Sequence, residues 1–333
     1  MSFAIVGAGA IGGFLGARLA LAGEQITFVA RGTNLEAIRQ NGFTLIEEDG
    51  TERNTACAAS AIADARPHDF VLLALKAHQV TQIAQDLPRL FHEQTSVVPL
   101  QNGTPWWYFY KLSGPFEGRS VVSADPDGRI AANVEANRVI GAVVYPAAEL
   151  VAPAVVKVVE GNRFTLGEPD GSRSERILKL SQALTNAGFK APISSDIRAE
   201  IWLKLWGNAT FNPISALTHA TLADICAFPE TRALAFAMME ETQAVAETLG
   251  VRSRISIEKR IAGAEAVGAH KTSMLQDVEA GRALELEALT GSVIELARLT
   301  GTPTPHLNSL YACTRLLAKT LADQKGRLFI QQD

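Results

Sequence analysis

Phe3-Ala4-Ile5-Val6-Gly7-Ala8-Gly9-Ala10-Ile11-Gly12 is the stretch from which the rest of the chain is read. Four apolar residues predict a buried strand, and the glycines that follow have GxGxxG spacing. That spacing has a mechanical reading. Gly7 permits a tight bend, Gly9 lets the backbone approach a pyrophosphate, and Gly12 lets the next helix pack closely on the strand. The helix then offers free amides and the positive end of its dipole to phosphates. A glycine run can also mark only a turn, but here it lies between a strand and a plausible helix at the start of a βαβ unit. Gly7, Ala8, Gly9, Ala10, Ile11 and Gly12 are therefore candidate dinucleotide contacts.

The second strand, Ile26 to Ala30, ends at Arg31. An acid at this point, about twenty residues past the fingerprint, would take the ribose 2′-hydroxyl of NAD. A guanidinium instead holds a 2′-phosphate in a bidentate way, so Arg31 predicts NADPH; the competing reading is a solvated surface arginine.

Composition sets the frame for this reading. The chain has 333 residues, 47% of them hydrophobic, and a net charge of −4. That length suits two domains with real cores, and the acidic balance gives no drive toward nucleic acid. No apolar run approaches the ~18 residues needed to cross a bilayer, and the first residues lack the basic region and cleavage site of a signal peptide. Cys57, Cys226 and Cys313 are odd in number and contain no CxxC pair. They predict a reducing, cytoplasmic setting with inert thiols, no disulfide framework and no metal site.

The two halves of the chain follow different patterns. Short apolar strands alternate with helical stretches up to about residue 194: Phe3 to Val6, Ile26 to Ala30, Phe70 to Leu75 and Val97 to Leu100. This predicts a parallel sheet wrapped by helices. Val139 to Tyr145, Val155 to Val159 and Arg163 to Leu166 read as an antiparallel extension of it, with Glu160-Gly161-Asn162 between the last two. Glu47-Glu48-Asp49-Gly50 is another hairpin turn. After Pro192, apolar residues recur at helical spacing over Thr231 to Leu249, Leu284 to Leu299 and Leu307 to Leu321. The expected fold is α/β, with a Rossmann-type dinucleotide-binding domain at 1–194 and an all-helical domain at 195–333.

Ser195 or Asp196 can cap the first helix of the second half. Along that helix Lys204, Asn208 and Asn212 fall at i, i+4 and i+8, so one stripe carries an ammonium and two amides. Ile201, Trp202, Leu203, Leu205, Trp206 and Phe211 surround them, an apolar setting for a lysine. An ordinary surface pair of Lys204 with Glu200 fits the spacing equally well.

The chain resembles the ketopantoate reductase (2-dehydropantoate 2-reductase) family. The match runs in order through Gly7-x-Gly9-x-x-Gly12, Leu75-Lys76-Ala77, Gln101-Asn102-Gly103, the Lys204/Asn208/Asn212 helix, Ser273-Met274-Leu275-Gln276-Asp277 and Glu285. The resemblance implies NADPH-dependent reduction of a 2-oxo acid to a 2-hydroxy acid. Lys204 would be the general acid, with Glu285 receiving the substrate's terminal hydroxyl and organising the lysine. Ser273 would hold the substrate carboxylate, Asn208 and Asn212 would bind the substrate, and Lys76 and Asn102 would line the nicotinamide end of the site.

Each of these residues also has a plainer reading. Glu285 fits a helix surface beside Glu279, Glu287 and Glu295. Ser273-x-x-Gln276 is a capping-box pattern, Asn212 before Pro213 can end a helix, and Asn102-Gly103 is turn chemistry. Burial among tryptophans would lower the Lys204 pKa, whereas a nearby carboxylate would raise it. The resemblance further implies a small-molecule 2-oxo acid partner and a homodimer through the helical domain.

Thr104-Pro105-Trp106-Trp107-Tyr108-Phe109-Tyr110 departs from the typical family pattern. If these rings line the pocket, the substrate is a bulkier 2-oxo acid than ketopantoate; if Pro105 starts a short helix, they pack on the sheet. A non-catalytic NADPH-binding sensor is the alternative from another class, and the presence of Lys204, Asn208, Ser273 and Glu285 argues against it.

Overall fold

A strand covered on both faces must be apolar on both, and Phe3, Ala4, Ile5 and Val6 are at most 1% exposed. The computed structural model describes residues 1–326. In chain order the first seven strands are β1 (Ser2–Val6), β2 (Gln25–Val29), β3 (Phe43–Ile46), β4 (Glu52–Thr55), β5 (Ala58–Ser60), β6 (Phe70–Leu73) and β7 (Ser96–Pro99). Strands β5-β2-β1-β6-β7 form one sheet, parallel throughout. The chain passes from β1 to β2 on one side and later returns to β6 on the other, so the order switches at β1. Ligands of open α/β sheets sit beyond the strand ends at such a point, and the glycine loop leaves β1 there.

Two smaller sheets complete this region. They use β8 (Gly141–Val144), β9 (Ala147–Ala152), β10 (Val155–Glu160) and β11 (Phe164–Gly167). The expected antiparallel strands exist but pair differently from the reading above. β10 turns back on β9 and lies parallel to β3 in the order β4-β3-β10-β9, whereas β11 pairs with β8. The hairpin turn is therefore at Pro153-Ala154, with Ala154 left-handed at φ +59°, and not at Glu160-Gly161-Asn162. Glu47 to Gly50 does join β3 to β4, closed by the Gly50 N–H on Glu47 O at 2.9 Å. Phe28 stacks on Phe43 at 4.8 Å, and Phe189 meets Phe14 and Phe164 edge to face, joining the sheets through one apolar core.

The described chain divides into two units. The first comprises Met1–Ser120 and Asp125–Glu200; the second comprises Val121–Ala124 and the chain from Ile201 onward. The expected division at 194/195 lies ahead of the helix Ile197–Thr218, whereas this division falls within it. Its first turn explains the difference. Ile197 fills the space above Gly141 and Gly167, and Arg198 is buried in the first unit. Residues 327–333 of the expected second domain lie outside the described residues.

Among the described residues the second unit has no β-strand. Pro229–Thr248, Ser292–Thr300 and Pro305–Asp323 are its other main helices. Trp206 Nε1 donates to Met239 O at 2.7 Å, tying the lysine-bearing helix to Pro229–Thr248. Glu241 caps Pro305–Asp323 by accepting from the His306 and Leu307 amides, both at 2.9 Å. Glu295 takes the Val122 and Ser123 amides at 2.7 Å each and so anchors the short excursion of chain in this unit. All three cysteines are free, Cys226 buried, Cys57 partly buried and Cys313 exposed. No described helix is long and apolar enough to cross a membrane.

The Trp106 to Tyr110 segment forms successive turns and not a helix, with Trp106, Trp107, Tyr108 and Phe109 at most 8% exposed. Arg198 holds it in place by donating to Tyr108 O at 2.8 Å, Tyr110 O at 2.6 Å and Pro169 O at 2.6 Å. The rings of Trp106 to Phe109 are thus buried, with the Trp106 and Trp107 indole Nε1 atoms left without a hydrogen-bond partner among the described residues. Arg198→Leu leaves these carbonyls without their donor, at about 1 to 3 kcal/mol for each buried group stranded. Denaturant titration should show a loss of about 3 kcal/mol or more; an unchanged midpoint would refute the assignment.

Candidate active site

The first unit carries the candidate nucleotide-binding residues. Gly7 has φ +105°, a left-handed bend that L side chains rarely adopt, and its amide donates to Val29 O at 3.0 Å. A Cβ at Gly12 would lie 2.0 Å from Gly7 O, so the helix Ala10–Leu21 can start this close to the strand only without a side chain there. A Cβ at Gly9 would meet nothing within 4 Å. The loop therefore has open space where a pyrophosphate would approach its backbone. Gly9 also caps the helix without a side-chain hydrogen bond, leaving its first amides to a ligand.

Arg31 is exposed and stands two residues past the end of β2, at the start of the helix Gly32–Asn41. That helix has no side-chain cap and no acid in its first turn, so its positive end and Arg31 act in the same direction. Asn34, which the motif reading passed over, donates to Ala8 O at 3.2 Å and accepts from the Ala154 amide at 3.1 Å. It clamps the glycine loop to the β9–β10 turn. Only its place three residues after Arg31 could have drawn attention to it.

Lys76 and Asn102 follow β6 and β7, and both are partly buried. Gln101 Nε2 donates to Leu73 O at 2.7 Å and Leu75 O at 2.8 Å, stapling the two loops together. Leu75 in turn lies against Gly7. The structure thus brings the fingerprint, Lys76 and Asn102 to one edge of the parallel sheet.

The second unit carries its own group of candidate residues. Lys204 stands on the helix Ile197–Thr218, partly buried, and the charge of the Glu285 carboxylate reaches it. Loss of water lowers the lysine pKa, Glu285 raises it, and burial wins, leaving it at about 8. The Glu200 pairing does not form; that side chain accepts from the Tyr145 hydroxyl and faces Arg163. Asp196, not Ser195, caps the helix through the Ala199 amide at 3.0 Å.

Asn208 is partly buried and Asn212 is 4% exposed. The Asn212 Nδ2 is buried with no protein hydrogen-bond partner, a donor left for something else. The helix does not end there, because Pro213 is accommodated within it and it continues to Thr218. Ser273 is not a cap. Thr272 caps the helix Ser273–Glu279 through the Leu275 amide at 3.2 Å, so Ser273 is an exposed first-turn residue with its hydroxyl available. Among the described residues no group of three His, Cys, Asp or Glu is arranged to hold a metal.

A dinucleotide fingerprint in one unit and, in the other, a lysine acted on by a carboxylate are features of an oxidoreductase. Residues 3–171 match the family model "Ketopantoate reductase PanE/ApbA", and residues 196–318 match its C-terminal counterpart. The chain belongs to the ketopantoate reductase family. It is 51% identical to a 2-dehydropantoate 2-reductase of Mesorhizobium japonicum, over 96% of this chain and 98% of that one. A protein of Ralstonia solanacearum MolK2 assigned as a ketopantoate reductase superposes with TM-score 0.91 at 40% identity, covering 96% and 98% of the two chains. A D-mandelate dehydrogenase with NADH and anilino(oxo)acetate shares the fold alone, with TM-score 0.82, 21% identity and coverage of 97% and 100%.

The glycines make separable predictions. Gly12→Ala forces a Cβ against Gly7 O and should lower the melting temperature. Gly9→Ala has room, so it should leave the melting temperature unchanged and weaken dinucleotide binding about tenfold or more by intruding on the phosphate path. Calorimetry and fluorescence titration measure both; unaltered affinity in Gly9→Ala would remove the loop from the site.

Proposed function

We propose that this protein reduces 2-dehydropantoate to pantoate, with NADPH as the hydride donor. The observation that carries the reading is Lys204, an ammonium with its pKa brought to about 8 and a carboxylate beside it. The near-complete match to a 2-dehydropantoate 2-reductase at 51% identity supplies the substrate. Burial of Trp106 to Phe109 fits the packing reading of these rings.

In this reading the residues of the first unit hold the cofactor. The Gly7 to Gly12 loop and the helix start at Ala10 take the pyrophosphate, Arg31 with the uncapped start of Gly32–Asn41 takes the 2′-phosphate, and Lys76 and Asn102 border the nicotinamide end. The bound cofactor supplies a hydride for carbon 2 of the substrate.

The second unit supplies everything else. Ser273 holds the substrate carboxylate, Asn208 and Asn212 donate to substrate oxygens, and Glu285 accepts from the terminal hydroxyl. Negative charge builds on the 2-oxo oxygen as the carbonyl is reduced, and Lys204 stabilises it and then gives up its Nζ proton there. A pKa near the working pH suits this role because the group is still largely charged at neutrality yet releases its proton readily. Glu285 keeps the lysine from losing its proton too early. The division of labour at 194/195, a homodimer through the helical unit and a cytoplasmic location belong to the same reading. Exposed Phe228 and Leu316 are apolar surface of the kind a second copy covers.

The decisive assay follows NADPH oxidation with 2-dehydropantoate. Because Lys204 must be protonated to act, kcat should be level below pH ~8 and fall about tenfold per unit above it. Lys204→Ala should lose about a thousandfold in kcat with little change in NADPH affinity; turnover that survives this substitution would overturn the mechanism.

Arg31→Asp replaces a cation with an anion at the 2′-phosphate position. The ratio of kcat/KM for NADPH over NADH should drop by more than about tenfold. A ratio that does not move would exclude Arg31 from cofactor choice.

A further inference from the structure

One turn beside the site is built differently from the rest of the helical unit. Glu287–Gly291 is a π-helical turn, closed by the Gly291 amide on Leu286 O at 3.0 Å, which continues into Ser292–Thr300 as an ordinary helix. Such turns are rare, cost backbone geometry and recur at functional sites. This one begins two residues after Glu285.

Several contacts hold it. The Tyr311 hydroxyl from the helix Pro305–Asp323 donates across both oxygens of Glu287, at 2.9 and 2.7 Å. Gly291 leaves room for that pair: a Cβ there would lie 2.9 Å from Glu287 Oε2 and 3.4 Å from Tyr311 Cε2. Ser292 Oγ donates back to the Ala288 and Leu289 carbonyls, both at 2.8 Å. Thr290 Oγ1 donates to Ala209 O at 3.3 Å, on the helix that carries Lys204. The Leu289 amide bonds back to Glu285 O at 3.3 Å, so the Glu285 backbone is anchored by the first bonds of the turn.

We propose that Tyr311, Glu287 and Gly291 form a positioning device that sets where the Glu285 carboxylate stands relative to Lys204. Tyr311 fixes Glu287 on one side of the turn and Thr290 fixes the turn to the lysine-bearing helix on the other. Glu285, at the head of the turn, has its backbone defined by both. Coulombic influence falls with distance, so a displaced carboxylate supports the ammonium less. Charged groups face Lys204 or its helix from several elements, with Asp196 and Arg198 at the start of that helix taken up by the Ala199 amide and by backbone carbonyls. Glu285 acts on it directly, the Arg260 guanidinium from Ile257–Ala266 lies against Gly207, and Glu200 on the lysine's own helix is taken up by Tyr145 and Arg163. Burial and the Glu287 carboxylate push the Tyr311 phenol up to about 12. Its hydroxyl therefore stays a donor throughout an enzyme assay, and any change in pH profile belongs to Lys204.

The inference rests on the reductase reading above, so the test carries its own control. Tyr311→Phe, Glu287→Gln, Gly291→Ala and Glu285→Gln are compared in the full chain by NADPH oxidation with 2-dehydropantoate from pH 6 to pH 10, after circular dichroism has verified folding. Tyr311→Phe and Gly291→Ala should each lower kcat about tenfold or more, leave the KM for NADPH within about twofold, and move the alkaline limb to lower pH. Glu287→Gln, whose amide oxygen still accepts from Tyr311, should retain most of the activity. Wild-type kcat and limb position in Tyr311→Phe, with Glu285→Gln impaired, would overturn the positioning role and leave the reductase reading intact. An unaffected Glu285→Gln would overturn the positioning role together with the part given to Glu285, whereas absence of turnover in the unsubstituted protein would overturn the reductase reading itself. Should Tyr311→Phe not fold, Gly291→Ala and Glu287→Ala are read in the same way.

Discussion

An ammonium group drawn out of water is costly, and the site depends on how that cost is met. Lys204 loses solvent in the helical unit, and the Glu285 carboxylate returns part of what is lost. Stronger compensation would leave an ordinary lysine that holds its proton too tightly. Weaker compensation would leave a neutral amine with no proton to give. The helical unit can be understood as scaffolding for that balance: Trp206 pins the lysine-bearing helix to its neighbour, Thr290 ties it to the segment carrying Glu285, and the π turn sets the approach of that segment.

Much of this was legible in the chain because it rests on local rules. The glycine spacing needs only neighbouring residues, and Gly7 and Gly12 occupy positions that exclude a side chain for reasons internal to one turn. Period-two and period-three-to-four hydrophobic patterns likewise separated the sheet region from the helical region. The lysine and asparagine stripe followed from helical spacing alone, and Asp196 was named among the possible caps. Family resemblance added Glu285, whose neighbours Glu287 and Glu295 look equally ordinary in sequence.

Features that depend on distant partners were not legible. β10 was assigned to a hairpin with β11 because Glu160-Gly161-Asn162 is good turn chemistry, yet β3 and β9 provide the pairing partners and the chain turns at Ala154 instead. The Ser273-x-x-Gln276 pattern allows a cap at Ser273 as well as a carboxylate contact, and only the backbone shows that Thr272, one residue earlier, is the cap. Asn212 before Pro213 allows a helix end in sequence, yet the helix runs on to Thr218. The aromatic run after Asn102 suggested a pocket, and its burial depends on Arg198, far along the chain, donating to its carbonyls. No local pattern announces such a bond.

The excursion of Val121–Ala124 has a consequence for how the protein is made. Its Val122 and Ser123 amides find their acceptor in Glu295, more than 170 residues later in the chain. During synthesis the sheet region emerges first, but its chain includes a segment whose resting place does not yet exist. Maturation of the nucleotide-binding half is therefore tied to arrival of the last helices from the ribosome, and neither unit corresponds to an uninterrupted stretch of gene. A shuffled or truncated ancestor could not have exchanged one half without rebuilding that anchor, which gives the pair a reason to travel together.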